Sequence, residues 1–285
     1  MGFPSGWLVA LNHRKFRFVP PSDDPIAYAR KQLEDGKRVW TRFFADKVPI
    51  SGKLVLDLGC GPGGKTCGYV ALNPERIIGV DISYDAIAQA EKARDILVHP
   101  ENRHKLEFAC VDAEDLPFPD EYFDVVTCSD SFEHFPNPQK VLSEARRVLK
   151  VNGLMAIDFA QWKSYNGHHL GDIITTPWSH VFWSKEAVIE AVGKLVEMEK
   201  SHLKDEKSLN LLEDFKVRRI EHFINALNGL SIASFEGFLK SDKRLKVHWS
   251  RKTSAYPVLF PLIFIPGLRE LAVARNVYVI ERIGL

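Results

Sequence analysis

Hydrophobic positions between Lys53 and Phe159 gather into short runs, and the segments between the runs carry apolar residues at helical spacing. The runs Leu54–Leu58, Arg76–Asp81, Leu106–Val111, Phe123–Cys128 and Leu154–Phe159 are mostly apolar, each with one or two charged residues. Runs of this length bounded by turn residues mark strands. Helices are predicted at Gly64–Leu72, at Tyr84–Leu97 behind an N-capping Ser83, and at Gln139–Leu149 behind Asn137-Pro138. Regular alternation of strand and helix implies an α/β, doubly wound, mostly parallel sheet of the Rossmann-like kind.

The flanks are patterned differently. Residues 1–50 read as an N-terminal arm and helix: Met1 to about Pro21 is mixed basic and aromatic without a period, a strap or a partly mobile arm. Pro25–Lys47 places Ile26, Ala29, Leu33, Trp40, Phe43 and Phe44 near helical spacing, with Asp23 or Asp24 as N-cap. Within a main domain at 51–285, about ninety residues at 160–245 exceed what the basic fold needs and read as an inserted helical lid that selects substrate. Its helices are expected at Lys185–Val196 behind Ser184, over Leu209–Leu227, and over Ile232–Leu239. Tyr256–Leu268 is apolar but holds Pro257, Pro261 and Pro266 and is too short to cross a bilayer. A buried connection is expected there, with contact to a membrane surface as the competing reading.

Chemistry concentrates where strands end. Asp57-Leu58-Gly59-Cys60-Gly61-Pro62-Gly63-Gly64 is a glycine-rich turn after the first strand, and glycines there let a ligand approach the backbone. Gly59, Gly61 and Gly64 also satisfy the dinucleotide pattern, which keeps an NAD-dependent oxidoreductase open. The second strand ends in Asp81, whose carboxylate can accept from both ribose hydroxyls. The third ends in Asp112-Ala113, followed by Leu116-Pro117-Phe118-Pro119-Asp120, and the fourth opens into Ser129-Asp130-Ser131-Phe132-Glu133-His134.

This ordered set resembles the seven-stranded class I S-adenosylmethionine-dependent methyltransferases, in the group with Asp-x-Gly-Cys-Gly-x-Gly, Leu-Pro-Phe-x-Asp-x-x-Phe-Asp and a Glu-His pair after the fourth strand. The resemblance covers about Lys53 to Asp158, with a weaker echo at Pro266–Ile283. It implies a seven-stranded sheet closed by an antiparallel C-terminal hairpin, placed here at Leu245–Trp249 and Arg275–Ile283. It also implies S-adenosylmethionine as cofactor, with S-adenosylhomocysteine as product. Carried over residue by residue, Gly59, Gly61 and Gly63 form the cofactor turn, Asp57 orders it near the methionine end, Asp81 holds the ribose, and Asp112 with Ala113 meets the adenine. Cys60, Ile82 and Ser129 line the same site. The acceptor is a small molecule or lipid-like, with oxygen slightly favoured over carbon as the methylated atom.

Composition narrows partners. The 285 residues carry 38 Lys and Arg against 37 Asp and Glu, and no basic run has the clustering of a polyanion surface, so nucleic acid is not expected as substrate. Cys60, Cys67, Cys110 and Cys128 match neither zinc-ribbon nor disulfide spacing. With no signal peptide or transmembrane run visible, a reduced, cytoplasmic setting is expected.

Methyl transfer to oxygen calls for a general base, and histidine suits it. His134 follows the fourth strand. His168, His169 and His180 fall in a segment that also carries Trp162, Tyr165, Asp172, Trp178 and Trp183, an unusual load for solvated filler. Three readings stand: one of these histidines takes the acceptor's proton, the group packs the lid, or His168 or His169 binds a divalent metal with His180 and Asp172. The spacing matches no metal signature. A noncatalytic cofactor-binding protein with a partner-recognition lid is the alternative from a different class.

Overall fold

The computed structural model describes residues 3–20, 24 and 26–284. Among them the chain forms two compact units: residues 24–159, 233–251 and 276–284 make one, and 3–20, 160–232 and 252–275 make the other. The helix Ile232–Ser241, read from sequence as part of the lid, falls almost wholly in the first unit.

The first unit is built on a seven-stranded sheet in the order β3-β2-β1-β4-β5-β7-β6. Its strands are β1 Leu54–Leu58, β2 Arg76–Asp81, β3 Leu106–Cys110, β4 Phe123–Ser129, β5 Leu149–Phe159, β6 Leu245–Ser254 and β7 Val273–Arg282. The first five run parallel, and β7 lies antiparallel to β5. β1 pairs with β2 on one side and β4 on the other, so strand order reverses at the end of β1. That reversal opens a crevice at the carboxyl ends of the strands, where such sheets bind ligands.

β5 begins five residues earlier than its apolar run suggests. Phe123 pairs with Leu149 and Val125 with Leu154, so Lys150–Gly153 is looped out as a bulge instead of preceding the strand. Asn152 takes a φ of 65° in that bulge, a left-handed conformation that asparagine tolerates.

Helices flank the sheet. In the order of the chain they include α2 Ala27–Phe43, α3 Gly64–Tyr69, α4 Tyr84–Leu97, α5 Pro138–Val148 and α9 Ile232–Ser241. Ser83 and Asn137 cap α4 and α5 through side-chain oxygens that accept from Ala86 N and Lys140 N. Asp24 precedes α2 and accepts from Ile26 N at 3.0 Å, while Asp23 and Pro25 lie outside the described residues. Trp40 of α2 packs on Tyr69 of α3 with ring centres 5.0 Å apart, within a core that includes Val55, Ile77 and Val125. Phe235 of α9 lies 4.8 Å from Phe159 and 5.0 Å from Tyr278, all three buried.

The second unit is mainly helical, with α1 Ser5–Asn12, α6 Ser179–Phe182, α7 Lys185–Lys200, α8 Glu206–Asn225 and α10 Arg269–Ala272. Residues 3–20 pack into this unit. Leu8, Phe16 and Phe18 are buried with Val188, Leu195 and Leu212 of α7 and α8. Asn12 is fully buried and accepts from Thr175 N at 2.8 Å, and Glu199 accepts from Phe18 N at 3.0 Å. The sequence hides this because the pairing is long-range and the helix is too short to show a period.

Tyr256–Leu268 also departs from expectation. Pro257–Phe264 winds as a 3₁₀ turn in which Ile263 is buried, but Val258 is 81% and Phe264 71% exposed. Prolines at 257 and 261 hold the turn short, and it turns most of its apolar side chains outward. No helix of the described residues is long and apolar enough to cross a membrane.

Candidate active site

The glycine turn leaves β1 at the sheet's reversal point. Gly59, Gly61 and Gly63 all have positive φ, at 67°, 53° and 75°. Two of them have different jobs. A Cβ on Gly63 would lie 2.7 Å from Ala90 Cβ and Phe108 Cζ, so glycine there allows close packing beneath the turn. Nothing lies within 4 Å of where a Gly61 Cβ would stand, so this glycine faces open space. An open backbone position with φ above zero is a cradle that a side chain would fill.

Asp81, at the end of β2, reaches that cradle. Its Oδ2 accepts from Gly61 N at 2.9 Å and its Oδ1 from Ser83 N at 2.9 Å. Each carboxylate oxygen keeps a further lone pair, enough for a vicinal diol. Next to it Ile82 is 70% exposed, an apolar side chain in solvent beside a charged one. Asp112 accepts from Glu114 N at 2.8 Å and holds the turn after β3, with Ala113 buried behind it. This half of the site fits an adenosine: a carboxylate for hydroxyls, an apolar platform, and open backbone between them.

Asp57 works underneath. It is buried, and its Oδ2 accepts from Thr66 Oγ1 at 2.7 Å, pinning the first turn of α3 to β1. Burial lifts its carboxyl to about 7, opposed by the Thr66 hydrogen bond and the Lys65 charge. Cys60 and Cys128 are buried, and burial pushes both thiols well up, so they pack as small apolar groups.

Sequence reasoning missed Lys65, Thr66 and Ser131. Lys65 Nζ donates to Asp130 Oδ2 at 2.7 Å and to Ser129 O and Ser129 Oγ, each at 3.1 Å, so the first turn of α3 is tied to the end of β4. Ser131 Oγ donates to Gly59 O at 2.9 Å. A buried acid nine residues before a threonine was the signal for Thr66; nothing in the spacing pointed to Lys65.

His134 sits five residues past β4, half-buried, and its backbone N donates to Ser131 O at 2.9 Å. The other three histidines belong to the helical unit. His168 is buried and its Nδ1 accepts from Leu170 N at 2.9 Å; burial, then the neighbouring His180 and His169, hold it down at about 3. His180 Nε2 bonds Trp162 O at 2.6 Å, and burial holds that ring at about 4. A nitrogen facing a carbonyl carries the proton, so His180 is the Nε2–H tautomer. His168 and His180 pack with ring centres 5.1 Å apart. His169 takes a φ of 54° and stacks on His222 at 5.5 Å.

A cavity of about 550 Å3 in this unit is lined by Tyr165, Asn166, His168, His169, Asp172 and Arg219, among others. Asp172 is committed to an ion pair with Arg219 across it. Among the described residues, His168, His169, His180 and Asp172 do not converge as a metal-ligand group.

Residues 56–157 match the family described as "Methyltransferase domain". The chain is 32% identical over 126 residues to the 27-O-demethylrifamycin SV methyltransferase of Amycolatopsis mediterranei, covering 44% of this chain and 45% of that one. It is 36% identical over 136 residues to the fatty-acid O-methyltransferase of Mycolicibacterium smegmatis, covering 46% and 47%. The aligned part thus spans about half the length of these curated relatives. A solved S-adenosylmethionine-dependent methyltransferase from Mesorhizobium loti superposes with a TM-score of 0.55 over 88% of this chain and 100% of its own, at 13% identity, which is a likeness of fold. Residues 56–157 therefore match a methyltransferase domain, and they contribute strands β1 to β5 to a seven-stranded sheet of Rossmann-like fold. Of the two readings of the glycine turn, the methyl-donor one is supported by this match.

Proposed function

We propose that this protein transfers a methyl group from S-adenosylmethionine to an oxygen of a small-molecule or lipid-like acceptor. The observation that carries the reading is the Asp81 carboxylate held on Gly61 N at 2.9 Å beside an open glycine backbone. Asp81 would hold the ribose, Ile82 and Ala113 the adenine, and the amides of the glycine turn the methionine carboxylate. The bound sulfonium supplies an electrophilic methyl and a neutral leaving group.

The chain's own residues then have few tasks. They orient an acceptor oxygen, exclude water, and remove its proton. Of the four candidate histidines, His134 is assigned the base, because it stands in the cofactor-binding unit just past β4. His168 and His180 are assigned to packing: each commits a ring nitrogen to the backbone and is held several units below neutrality.

Support for the acceptor class comes from the relatives, which are named as methylating a rifamycin and a fatty acid. The test is calorimetric titration with S-adenosylhomocysteine and, separately, NAD, followed by transfer of labelled methyl to a panel of phenols, hydroxylated polyketides and fatty acids. Binding of S-adenosylhomocysteine without methyl transfer to any of them would favour a noncatalytic binder; preference for NAD would overturn the reading.

A further inference from the structure

We infer that the helical unit carries a docking surface for an anionic lipid bilayer. Three segments far apart in sequence expose apolar side chains there. α1 shows Trp7 at 58% and Leu11 at 51% exposure, α6 shows Phe182, and the 3₁₀ turn shows Val258, Phe260 and Phe264. The Trp7-Leu11 spacing puts both on one helix face while Leu8 and Asn12 turn inward to the core.

Direct contacts join the segments. Phe3 stacks on Trp7 with ring centres 5.3 Å apart, and its N donates to Phe182 O at 3.4 Å. Phe182 N donates to Trp178 O at 3.2 Å, and the Trp178 ring lies 6.0 Å from Tyr256 at the mouth of the 3₁₀ turn. Trp178 Nε1 also donates to Leu271 O at 3.1 Å, anchoring that turn's far end. These contacts bring α1, α6 and the start of the 3₁₀ turn next to one another within one unit, so their exposed apolar side chains are gathered in neighbouring segments. Gathered exposure of this kind is what isolated soluble surfaces avoid.

Charge says what these segments fit. Residues 3–20 contain Arg14, Lys15 and Arg17 and no acid of their own, and residues 252–269 contain Lys252 and Arg269 and no acid. Arg17 pairs with Glu199 at 3.7 Å and Glu190 of α7 reaches Ser5, which leaves Arg14 and Lys15 as the cations the segment presents. Arg14 and Lys15 are exposed immediately beyond α1. Glu270, the next acid, is buried and accepts from Ile232 N at 3.1 Å. Aromatic and aliphatic side chains flanked by cations match an interfacial helix or turn seated at the headgroup level of an anionic membrane. A second copy fits poorly, since a self-complementary contact would bring the same cations together.

The test is co-sedimentation of the full chain with phosphatidylcholine vesicles and with vesicles also containing phosphatidylserine. Binding to the anionic vesicles is expected, weakened by salt. The double variant Phe260→Ser with Phe264→Ser should bind at least roughly tenfold more weakly, because two exposed aromatics no longer enter the bilayer. Arg14→Gln with Lys15→Gln should lose roughly tenfold or more on anionic vesicles alone. All four sites are exposed, so circular dichroism should show native folding in both variants. No binding to anionic vesicles, or unchanged binding by both folded variants, would overturn the proposal. So would a dimer in sedimentation equilibrium that Phe260→Ser with Phe264→Ser dissolves.

Discussion

Asp81 and Gly61 are joined by a 2.9 Å hydrogen bond from the glycine amide to the carboxylate, which ties the ends of β2 and β1 together across the opening of the glycine turn. The carboxylate thereby gains a fixed orientation before any ligand arrives. Pre-set orientation lowers the ordering cost of binding. Asp81→Ala should weaken S-adenosylhomocysteine roughly hundredfold, the loss of two hydrogen bonds to a charged group. Asp81→Asn should fall between, and calorimetry on the three proteins checks the order.

Gly61→Ala separates binding from folding. The added methyl meets no neighbour within 4 Å, so its structural cost is confined to a φ of 53°. That is about 1 kcal/mol, a shift in Tm of a few degrees. Cofactor binding should fall far more, because the methyl stands where the ligand would lie. Equal losses in both measurements would remove Gly61 from the site.

The Asp57 carboxyl should make stability fall as pH rises. Its folded value of about 7 lies above the ordinary 3.8, so the folded state holds the proton more tightly. The contribution is fully present below about pH 4 and is lost as pH climbs through 7, to the extent of a few kcal/mol at most. Asp57→Asn keeps an oxygen for Thr66 and removes the titration. The difference in unfolding free energy between wild type and variant should therefore grow in the variant's favour from pH 4 to 7, by denaturant titration.

His180 carries the opposite sign. It is held near 4 against an ordinary 6.5, so its stability is present above 6.5 and drains away as pH falls toward 4. His180→Gln can still donate to Trp162 O. Its stability deficit against wild type should be largest at neutral pH and shrink on acidification, read by tryptophan fluorescence during denaturation.

His134→Gln should lower kcat roughly 10²- to 10⁴-fold and abolish the acidic limb of the kcat profile. His180→Gln should leave the position of that limb unchanged, because its ring is already neutral throughout the range. A limb that survives in His134→Gln assigns the base elsewhere.

Much of this protein was legible in its sequence because it is local. Mostly apolar runs gave β1 to β4 within a residue or two, since strands in the middle of a parallel sheet bury most of their positions. Ser83 and Asn137 announced their helices, because a cap bonds three residues onward. Gly61 and Asp81 stood out as candidates through residue type: glycine leaves that backbone open, and a carboxylate can accept from two hydroxyls.

Tertiary structure decided what depends on distant partners. Asn12 is buried by Thr175 and Phe18 by Glu199, pairings across more than 160 positions that no period can show, so a segment without pattern became core. Lys65 reached Asp130 only because the sheet sets β1 beside β4. The run from Tyr256 to Leu268 went the other way: hydrophobicity argues for burial, but burial needs a complementary surface, and the 3₁₀ turn packs only Leu259, Leu262 and Ile263 against Ile232, Ala272 and Val273 while Val258 and Phe264 face out. Composition decides which side chains prefer to leave water; only the packed chain decides which of them can.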